Sequence, residues 1–260
     1  MADPKLVTII TGASAGIGVA LADVFADRGH SLLLVARRAA QLKAVASAIE
    51  ARGRPQPQVL ALDLAQPDAP ARIEAELRAR GLAPQFVVNN AGFGMVGHAA
   101  TLDRGEQLAM IDLNARVLTD LSLRFVPSLA EHKGGILNVA SVAGFMPGPG
   151  MAAYHATKAY VVSFSEALHR ELKPRGVRVT ALCPGPVDTE FQARAGMPDG
   201  YFPRSFSRSA DRVAREGYDG LMRGRRIVIP GTDNRVTALL PRLLPRGMIL
   251  WIMRLRLREG

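Results

Sequence analysis

The chain has 260 residues, 48% of them hydrophobic, which is enough for one large domain with a sizeable core. Its formal net charge is +10, but residues 223–260 hold nine arginines against two carboxylates, so the basic excess belongs to the end of the chain. No RNA- or DNA-binding motif accompanies it, and we expect no nucleic-acid partner. The single cysteine, Cys183, excludes an internal disulfide, and the five histidines lack metal-ligand spacing, so no metal site is expected.

A strand, a glycine-rich loop and a helix follow one another at the start of the chain. Residues 6–10 form an apolar run that predicts a buried strand of a parallel sheet. Gly12, Gly16 and Gly18 come next, and a helical pattern begins at Ile17. Glycines allow a tight turn close to a pyrophosphate, and a helix N-terminus offers free N–H groups to it. Because the run leads into this loop and not into a signal-peptide cleavage site, we expect a cytoplasmic protein.

Two arginines, Arg37 and Arg38, follow the second predicted strand, at residues 31–36. An NAD-selective site usually has Asp or Glu about 20 residues past the glycine loop, whereas arginine there suits the 2′-phosphate of NADP. The pair therefore favours NADP(H). The alternative is a solvated pair of loop arginines.

The rest of the chain continues to alternate strands and helices. Further strands are predicted at residues 59–64, 86–88, 136–141, 177–183 and 227–229. Helices are predicted at residues 39–52, 68–80, 102–129, 152–173 and 209–223. This order predicts an α/β fold, a Rossmann-like, doubly wound and predominantly parallel seven-stranded sheet with helices on both faces. Ligands of such sheets bind at the carboxyl ends of the strands, where the chain places Gly12, Arg37, Asp63, Asn90, Ser141 and Pro184.

A tyrosine and a lysine stand four residues apart in the predicted helix at residues 152–173. Tyr154 and Lys158 would therefore share one helix face, one turn from each other. A nearby cation favours the phenolate, so such a pair can pass a proton to or from an alcohol or carbonyl oxygen. The alternative is a surface tyrosine beside a solvated lysine.

Residues 184–208 are rich in proline, glycine and isolated large apolar side chains, which predicts a lid over the site. An apolar cleft would favour a lipophilic ketone, aldehyde, steroid or fatty-chain carbonyl. Its candidate lining residues, some of which would be core residues in the alternative interpretation, are Phe93, Phe145, Met146, Met151, Phe191, Met197, Tyr201 and Phe202.

The last residues, 233–260, form a basic amphipathic extension of a domain that covers residues 1–232. Their longest charge-free run is seven residues, 247–253, far short of the ~20 needed to cross a bilayer. On a helix, Arg254 and Arg258 would share one face beside Ile249, Trp251, Ile252 and Leu255. Two alternatives stay open: peripheral attachment to an anionic membrane surface, or packing on the enzyme or a second subunit.

Together these residues resemble the short-chain dehydrogenase/reductase family over residues 5–232. The features that carry the resemblance, in family order, are the loop at residues 11–18, Asp63-Leu64, Asn89-Asn90-Ala91-Gly92, Asn114, Ser141, Tyr154 with Lys158, and Pro184-Gly185. The resemblance implies that Tyr154 is the general acid in carbonyl reduction and that Ser141 hydrogen-bonds the substrate oxygen. It also implies that Lys158 binds the nicotinamide ribose and lowers the proton affinity of Tyr154, while Asn114 holds a water that relays protons.

The resemblance also implies a cofactor site that runs along the strand ends. Arg37 would contact the 2′-phosphate, Asp63 and Leu64 would flank the adenine, and Val187 and Thr189 would meet the nicotinamide amide. The full set is Gly12, Ser14, Gly16, Ile17, Gly18, Arg37, Asp63, Leu64, Asn90, Ala91, Gly92, Tyr154, Lys158, Pro184, Gly185, Val187 and Thr189.

The predicted function is that of an NADPH-dependent oxidoreductase that interconverts a carbonyl and an alcohol on a lipophilic small molecule. The alternative is a catalytically weak NADP-binding protein that docks on a partner or membrane through its basic tail. A family member of this kind is also expected to be a homo-oligomer, a dimer or tetramer.

Overall fold

A seven-stranded parallel sheet organises the computed structural model, which describes residues 4–198 and 207–258. Its strand order is β3-β2-β1-β4-β5-β6-β7. The strands are β1 (Lys5–Thr11), β2 (Leu32–Ala36), β3 (Gln58–Ala61), β4 (Leu82–Asn89), β5 (Gly135–Val139), β6 (Arg178–Leu182) and β7 (Ile227–Val228). Every neighbouring pair is parallel. The order reverses between β1 and β4, so a crevice opens there at the carboxyl ends of the strands.

Helices connect the strands. They are α1 (Gly16–Asp27), α2 (Ala39–Glu50), α3 (Ala69–Ala79), α4 (Arg104–Ile111), α5 (Leu118–Arg124), α6 (Val126–Glu131), α7 (Ala152–Leu172), α8 (Glu190–Arg194), α9 (Ala210–Met222), α10 (Thr232–Leu243) and α11 (Arg246–Arg258). Short 3₁₀ turns lie at Val142–Phe145 and Lys173–Arg175. Within the described residues, no helix is both long and apolar enough to cross a membrane.

Alternate residues of the buried strands face two separate cores, as period-two side-chain direction requires. On one face, Ile10 and Leu34 pack with α1, α2 and α9. On the other face, Ile9 and Leu33 pack with α3, α5, α6 and α7. Both faces of the sheet are thus covered, which explains why its strands are continuous apolar runs. The predicted fold class is confirmed.

The predicted single helix at residues 102–129 is wrong in detail. A π-helical segment, Asp112–Val117, separates α4 from α5, and a break at Phe125 separates α5 from α6. Pro127 explains the break, because its ring would clash with the carbonyl one turn earlier in a continuous helix. The π segment has no such local signal. Its extra residue turns the buried Asn114 toward the loop that follows β4.

The third strand is shorter than predicted. It ends at Ala61, so Asp63 and Leu64 lie in the loop beyond it. There the Asp63 carboxylate accepts a hydrogen bond from the Ala65 N–H at 3.0 Å, which fixes the loop at the mouth of the crevice.

The last two helices pack back onto the domain. Ala238 and Ile249 are buried, and the Asn234 amide donates to the Pro230 carbonyl at 2.7 Å. Asn234 also fills the space beside Gly185, where an added Cβ would lie 2.2 Å from its oxygen. The division into residues 1–232 and 233–260 stays a prediction.

Candidate active site

The turn between β1 and α1 requires glycine at two positions with left-handed backbone. Gly12 has φ +65° and Gly16 has φ +55°. A Cβ at Gly12 would lie 2.9 Å from Ala91, and one at Gly16 would lie 3.0 Å from Thr189. The two glycines therefore allow the turn to pack closely on these neighbours, and the N-terminus of α1 lies at the cleft, where free N–H groups suit an anionic ligand.

Gly18 serves a different purpose in the same turn. A Cβ there would lie 2.2 Å from the Gly12 carbonyl oxygen and 2.7 Å from the Asn90 side chain. Gly18 is thus needed for close packing beneath the turn and does not line the crevice. Gly12, Ser14, Gly16 and Ile17 do line it.

Thr11 and Asn90 join the glycine turn to the loop after β4. The Asn90 and Ala91 N–H groups donate to the Thr11 hydroxyl at 3.0 and 3.1 Å. In return, the Asn90 amide donates to the Thr11 and Gly12 carbonyls at 3.0 and 3.3 Å. These bonds hold two strand ends in one rigid floor.

Two arginines mark one end of the crevice, and their surroundings differ. Arg37 is exposed, whereas Arg38 donates to the hydroxyl and carbonyl of Ser14 at 3.3 and 3.2 Å. Arg38 also forms an ion pair with Glu190 of α8 at 2.9 Å. The resemblance implied a 2′-phosphate contact for Arg37 alone, but the structure places Arg38 against the glycine turn.

Ser141, Tyr154 and Lys158 converge at the other end of the crevice. Ser141 follows β5, and its hydroxyl accepts from the Ala143 N–H at 3.1 Å. Tyr154 and Lys158 lie one turn apart on α7, and both side chains are buried. The Lys158 ammonium donates to the Val139 carbonyl at 2.8 Å and lies 5.8 Å from the centroid of the Tyr154 ring. The predicted juxtaposition is therefore present.

Burial sets the protonation of this pair. It raises the pKa of Tyr154 to about 12, against a smaller lowering by the hydrogen bond with Ser141. Burial also lowers the pKa of Lys158 to about 8. Desolvation is the larger cause of the Tyr154 shift, and the Lys158 ammonium donates to the Val139 carbonyl. The lowering of the tyrosine's proton affinity by Lys158 stays a prediction.

Asn114 connects the π segment to the site. Its amide accepts from the Phe93 N–H at 3.1 Å and donates to the Phe93 carbonyl at 2.9 Å and the Thr157 hydroxyl at 3.2 Å. A Cβ at Gly92 would lie 2.8 Å from the Asn114 oxygen and 3.7 Å from the Lys158 ammonium. Asn114 thus fixes the loop beside Lys158; its role in a water relay stays a prediction.

One cleft of about 1550 Å³ connects the two ends. Apart from Gly18 and Asn114, all the site residues predicted from sequence line it. These are Gly12, Ser14, Gly16, Ile17, Arg37, Asp63, Leu64, Asn90, Ala91, Gly92, Ser141, Tyr154, Lys158, Pro184, Gly185, Val187 and Thr189.

Apolar side chains surround Tyr154. Phe93, Met151, Phe191 and Met197 pack in one cluster with it, and the Phe191 and Tyr154 ring centroids are 5.6 Å apart. Helix α8, within the predicted lid, supplies Phe191 and therefore covers the tyrosine. Met146 also lines the cleft, as expected.

One apolar candidate is placed elsewhere. Phe145 is partly buried, packs against the core cluster that includes Val161 and Val162, and does not line the cleft. For this residue the alternative interpretation, a core position, holds. Tyr201 and Phe202 lie outside the described residues.

Two further parts of the cleft lining were not predicted from the sequence. Arg194 of α8 lines it, with its guanidinium carbon 4.7 Å from the Phe93 ring centroid. Burial lowers the pKa of Arg194, and the cations Arg37 and Arg38 lower it further, so three arginines share this region. Helices α10 and α11 contribute the second part, Val236, Leu240, Leu244, Ile249 and Met253. Only tertiary packing brings these residues to the cleft.

Comparison with known proteins identifies the family. The family model of short chain dehydrogenases matches residues 6–198. A sulfoacetaldehyde reductase from Chromohalobacter salexigens is 38% identical over 185 residues, which are 70% of this chain and 72% of that protein. The chain belongs to the short-chain dehydrogenase/reductase family, whose members are oxidoreductases that use a nicotinamide cofactor on carbonyl and alcohol groups.

Solved structures agree with this assignment. A short-chain dehydrogenase from Sphingobium yanoikuyae in complex with NADPH is 35% identical, with a TM-score of 0.80, and the match covers 93% of this chain and 94% of that one. A bulky-bulky ketone specific alcohol dehydrogenase from Comamonas testosteroni is 29% identical, with a TM-score of 0.75 and 92% of each chain covered.

Proposed function

We propose that the protein is an NADPH-dependent carbonyl reductase, reversible as an alcohol dehydrogenase, that acts on a lipophilic small molecule. The observation that carries the proposal is the single cleft with an arginine-bordered glycine turn at one end and Ser141, Tyr154 and Lys158 at the other. A nucleotide and a carbonyl substrate can meet in such a cleft.

The residues at the glycine turn fit a nicotinamide dinucleotide. Gly12 and Gly16 allow the left-handed turn and its close packing on Ala91 and Thr189, and the N-terminus of α1 lies at the cleft, where its N–H groups would hold the pyrophosphate. Asp63 and Leu64 would flank the adenine, and Val187 and Thr189 the nicotinamide amide. When bound, the cofactor supplies the hydride.

Arg37 and Arg38 support NADP(H) over NAD(H). Both line the cleft beyond the second strand, and no carboxylate replaces them there. A guanidinium makes paired, charge-assisted bonds with a phosphate, so these arginines would hold the 2′-phosphate. The NADPH complex of the Sphingobium yanoikuyae relative is consistent with this preference.

Tyr154 would act as the acid in carbonyl reduction. With its pKa raised to about 12, the phenol stays protonated at neutral pH and can donate its proton to the substrate oxygen. The Ser141 hydroxyl would donate a hydrogen bond to the same oxygen as negative charge develops. In the reverse direction, Tyr154 would accept the proton from the alcohol.

Lys158 and Asn114 would support this transfer. The buried Lys158 ammonium, with its pKa lowered to about 8, can exchange a proton near neutral pH and would bind the nicotinamide ribose. Asn114 would hold Phe93 and Gly92 in place beside it and position the water of the proposed relay.

The cleft wall supports the proposed substrate class. Phe93, Met151, Phe191 and Met197 offer an apolar surface next to the Tyr154 hydroxyl. Such a wall binds hydrocarbon or aromatic groups beside the carbonyl. The bulky-ketone specificity of the Comamonas testosteroni relative supports this class.

The test is cofactor oxidation with a panel of aliphatic, aromatic and polar carbonyls, each with NADPH and with NADH. We expect turnover of apolar ketones or aldehydes with a higher kcat/KM for NADPH. Equal or better kcat/KM with NADH would contradict the cofactor proposal. Tight NADPH binding without turnover of any carbonyl would instead favour the alternative of a cofactor-binding protein.

A further inference from the structure

Helices α10 and α11 expose a band of large apolar side chains. Leu239, Leu243 and Trp251 are 54%, 81% and 63% exposed, and Met248 and Leu250 are 43% exposed each. We call these five residues the apolar band. Ala238 and Ile249 of the same two helices are buried, so the helices are packed on the domain while these five side chains face solvent. A group of this kind on one surface indicates an interaction site.

Positive charge accompanies the band. Residues 232–258 contain six arginines and one carboxylate, that of Asp233. Asp233 is already paired with Arg208 of the domain. Arg235 and Arg246 are exposed close to the band in sequence. The segment therefore combines an exposed apolar surface with a net positive charge.

Apolar surface combined with positive charge favours an anionic lipid surface over a second copy of the chain. A second copy docking through the same face about a two-fold axis would bring the arginines of one segment against those of the other, which is unfavourable. An anionic lipid surface satisfies both features, because its headgroups complement arginine and its acyl region accepts the apolar side chains. Since no described helix is long and apolar enough to span a bilayer, the segment would lie along the surface.

The band is also next to the entrance of the cleft. Val236 and Leu240 are 61% and 47% exposed and line the cleft at the same time. Ile249 and Met253 continue this lining from α11. We propose that α10 and α11 dock on an anionic membrane surface through the apolar band and hold the cleft open toward it. The docking itself does not depend on the proposed reaction.

Co-sedimentation of the full-length protein with vesicles tests the proposal. The probes are vesicles of phosphatidylcholine alone and of phosphatidylcholine with phosphatidylserine. We expect binding to the anionic vesicles that weakens as salt increases, since the arginine contribution is screened. The double variant Leu243→Ser/Trp251→Ser should reduce vesicle partition at least about tenfold, because two side chains lose their apolar contact. Arg246→Glu should reduce it mainly at low salt.

Leu123→Ser is the matched control, since Leu123 is 49% exposed on α5 and lies outside the band. It should bind vesicles as the unmodified protein does. Indifference of the unmodified protein to anionic vesicles would overturn the proposal, as would equal binding by the double variant. A concentration-dependent dimer that the double variant abolishes, without vesicle binding, would assign the band to a second copy and would also overturn it. None of these outcomes depends on turnover, so they are separate from the test of the reaction.

Discussion

At the level of single residues, the arginine pair should decide the cofactor. Loss of a guanidinium–phosphate interaction costs about 1.5–3 kcal/mol. We therefore expect Arg38→Ala and Arg37→Ala each to raise KM for NADPH by about tenfold or more while KM for NADH changes little. Arg37→Asp should reverse the preference. Steady-state kinetics with both cofactors is the measurement. An equal change in KM for NADPH and for NADH would show that neither arginine binds the 2′-phosphate.

The protonation of Tyr154 predicts different pH profiles for the two directions of the reaction. Burial raises its pKa to about 12, so the acid form needed for reduction is present throughout the neutral range. Reduction should change little between pH 6 and 8, on the order of twofold, whereas oxidation needs the deprotonated form and should accelerate as pH rises. Initial rates in both directions check this. An oxidation rate that falls with rising pH would contradict it.

Lys158 links the site to stability. Burial lowers its pKa from 10.5 to about 8, so below pH 8 the buried cation decreases the free energy of unfolding. The unfolded chain binds more protons than the folded one between these two values, and stability should therefore rise with pH in this window. The shift corresponds to roughly 3 kcal/mol.

Lys158→Met isolates that contribution. The variant removes the buried charge, so its stability relative to the unmodified protein should be greatest at pH 7 and should decline by pH 9.5. Denaturant unfolding at the two pH values is the measurement. A stability difference that does not depend on pH would mean that Lys158 is not a buried cation in the folded protein.

At the level of elements, the β1–α1 turn depends on Gly18 through packing. An added methyl would lie 2.2 Å from the Gly12 carbonyl, a backbone atom that cannot move aside cheaply. Gly18→Ala should destabilise the protein by about 1–3 kcal/mol and weaken NADPH binding. Gly247→Ala is the control, since its methyl would meet nothing within 4 Å. Thermal unfolding and NADPH titration measure both, and equal behaviour of the two variants would refute the packing argument.

Helix α8 should limit the size of the substrate through Phe191. Its ring lies over Tyr154, so Phe191→Ala should increase kcat/KM for bulky ketones relative to small aldehydes by about tenfold. Phe164→Ala is the control, because Phe164 stacks on Tyr160 and does not line the cleft. If both variants leave the selectivity ratio unchanged, α8 does not shape the substrate site.

At the level of the whole molecule, the sequence was sufficient for the alternation of strands and helices and for the residues at the strand ends. Both depend on local patterns, namely apolar runs and glycine spacing, which can be recognised within short stretches of the sequence. Local sequence could not show which of Arg37 and Arg38 lies against the glycine turn. Arg38 is held there by contacts with Ser14 and Glu190, which are distant in sequence. The π segment around Asn114 and the core position of Phe145 likewise depend on tertiary packing.

The sequence also could not predict that α10 and α11 line the cleft, because this position depends on tertiary packing. Their apolar residues predicted an amphipathic extension but not its location, since a membrane, a second subunit and the domain all bury the same kind of surface. The structure places one side of the segment on the domain and leaves the apolar band exposed. The homo-oligomer implied by the family stays a prediction.

Tyr154, the proposed acid that completes carbonyl reduction, is the residue on which the proposed function depends most. The most direct measurement compares Tyr154→Phe with the unmodified protein in NADPH binding and in turnover of the best carbonyl of the panel. The substitution keeps the buried ring and removes the proton, so turnover should fall at least ~100-fold while NADPH affinity stays within about twofold. A Tyr154→Phe variant that retains turnover would contradict the account.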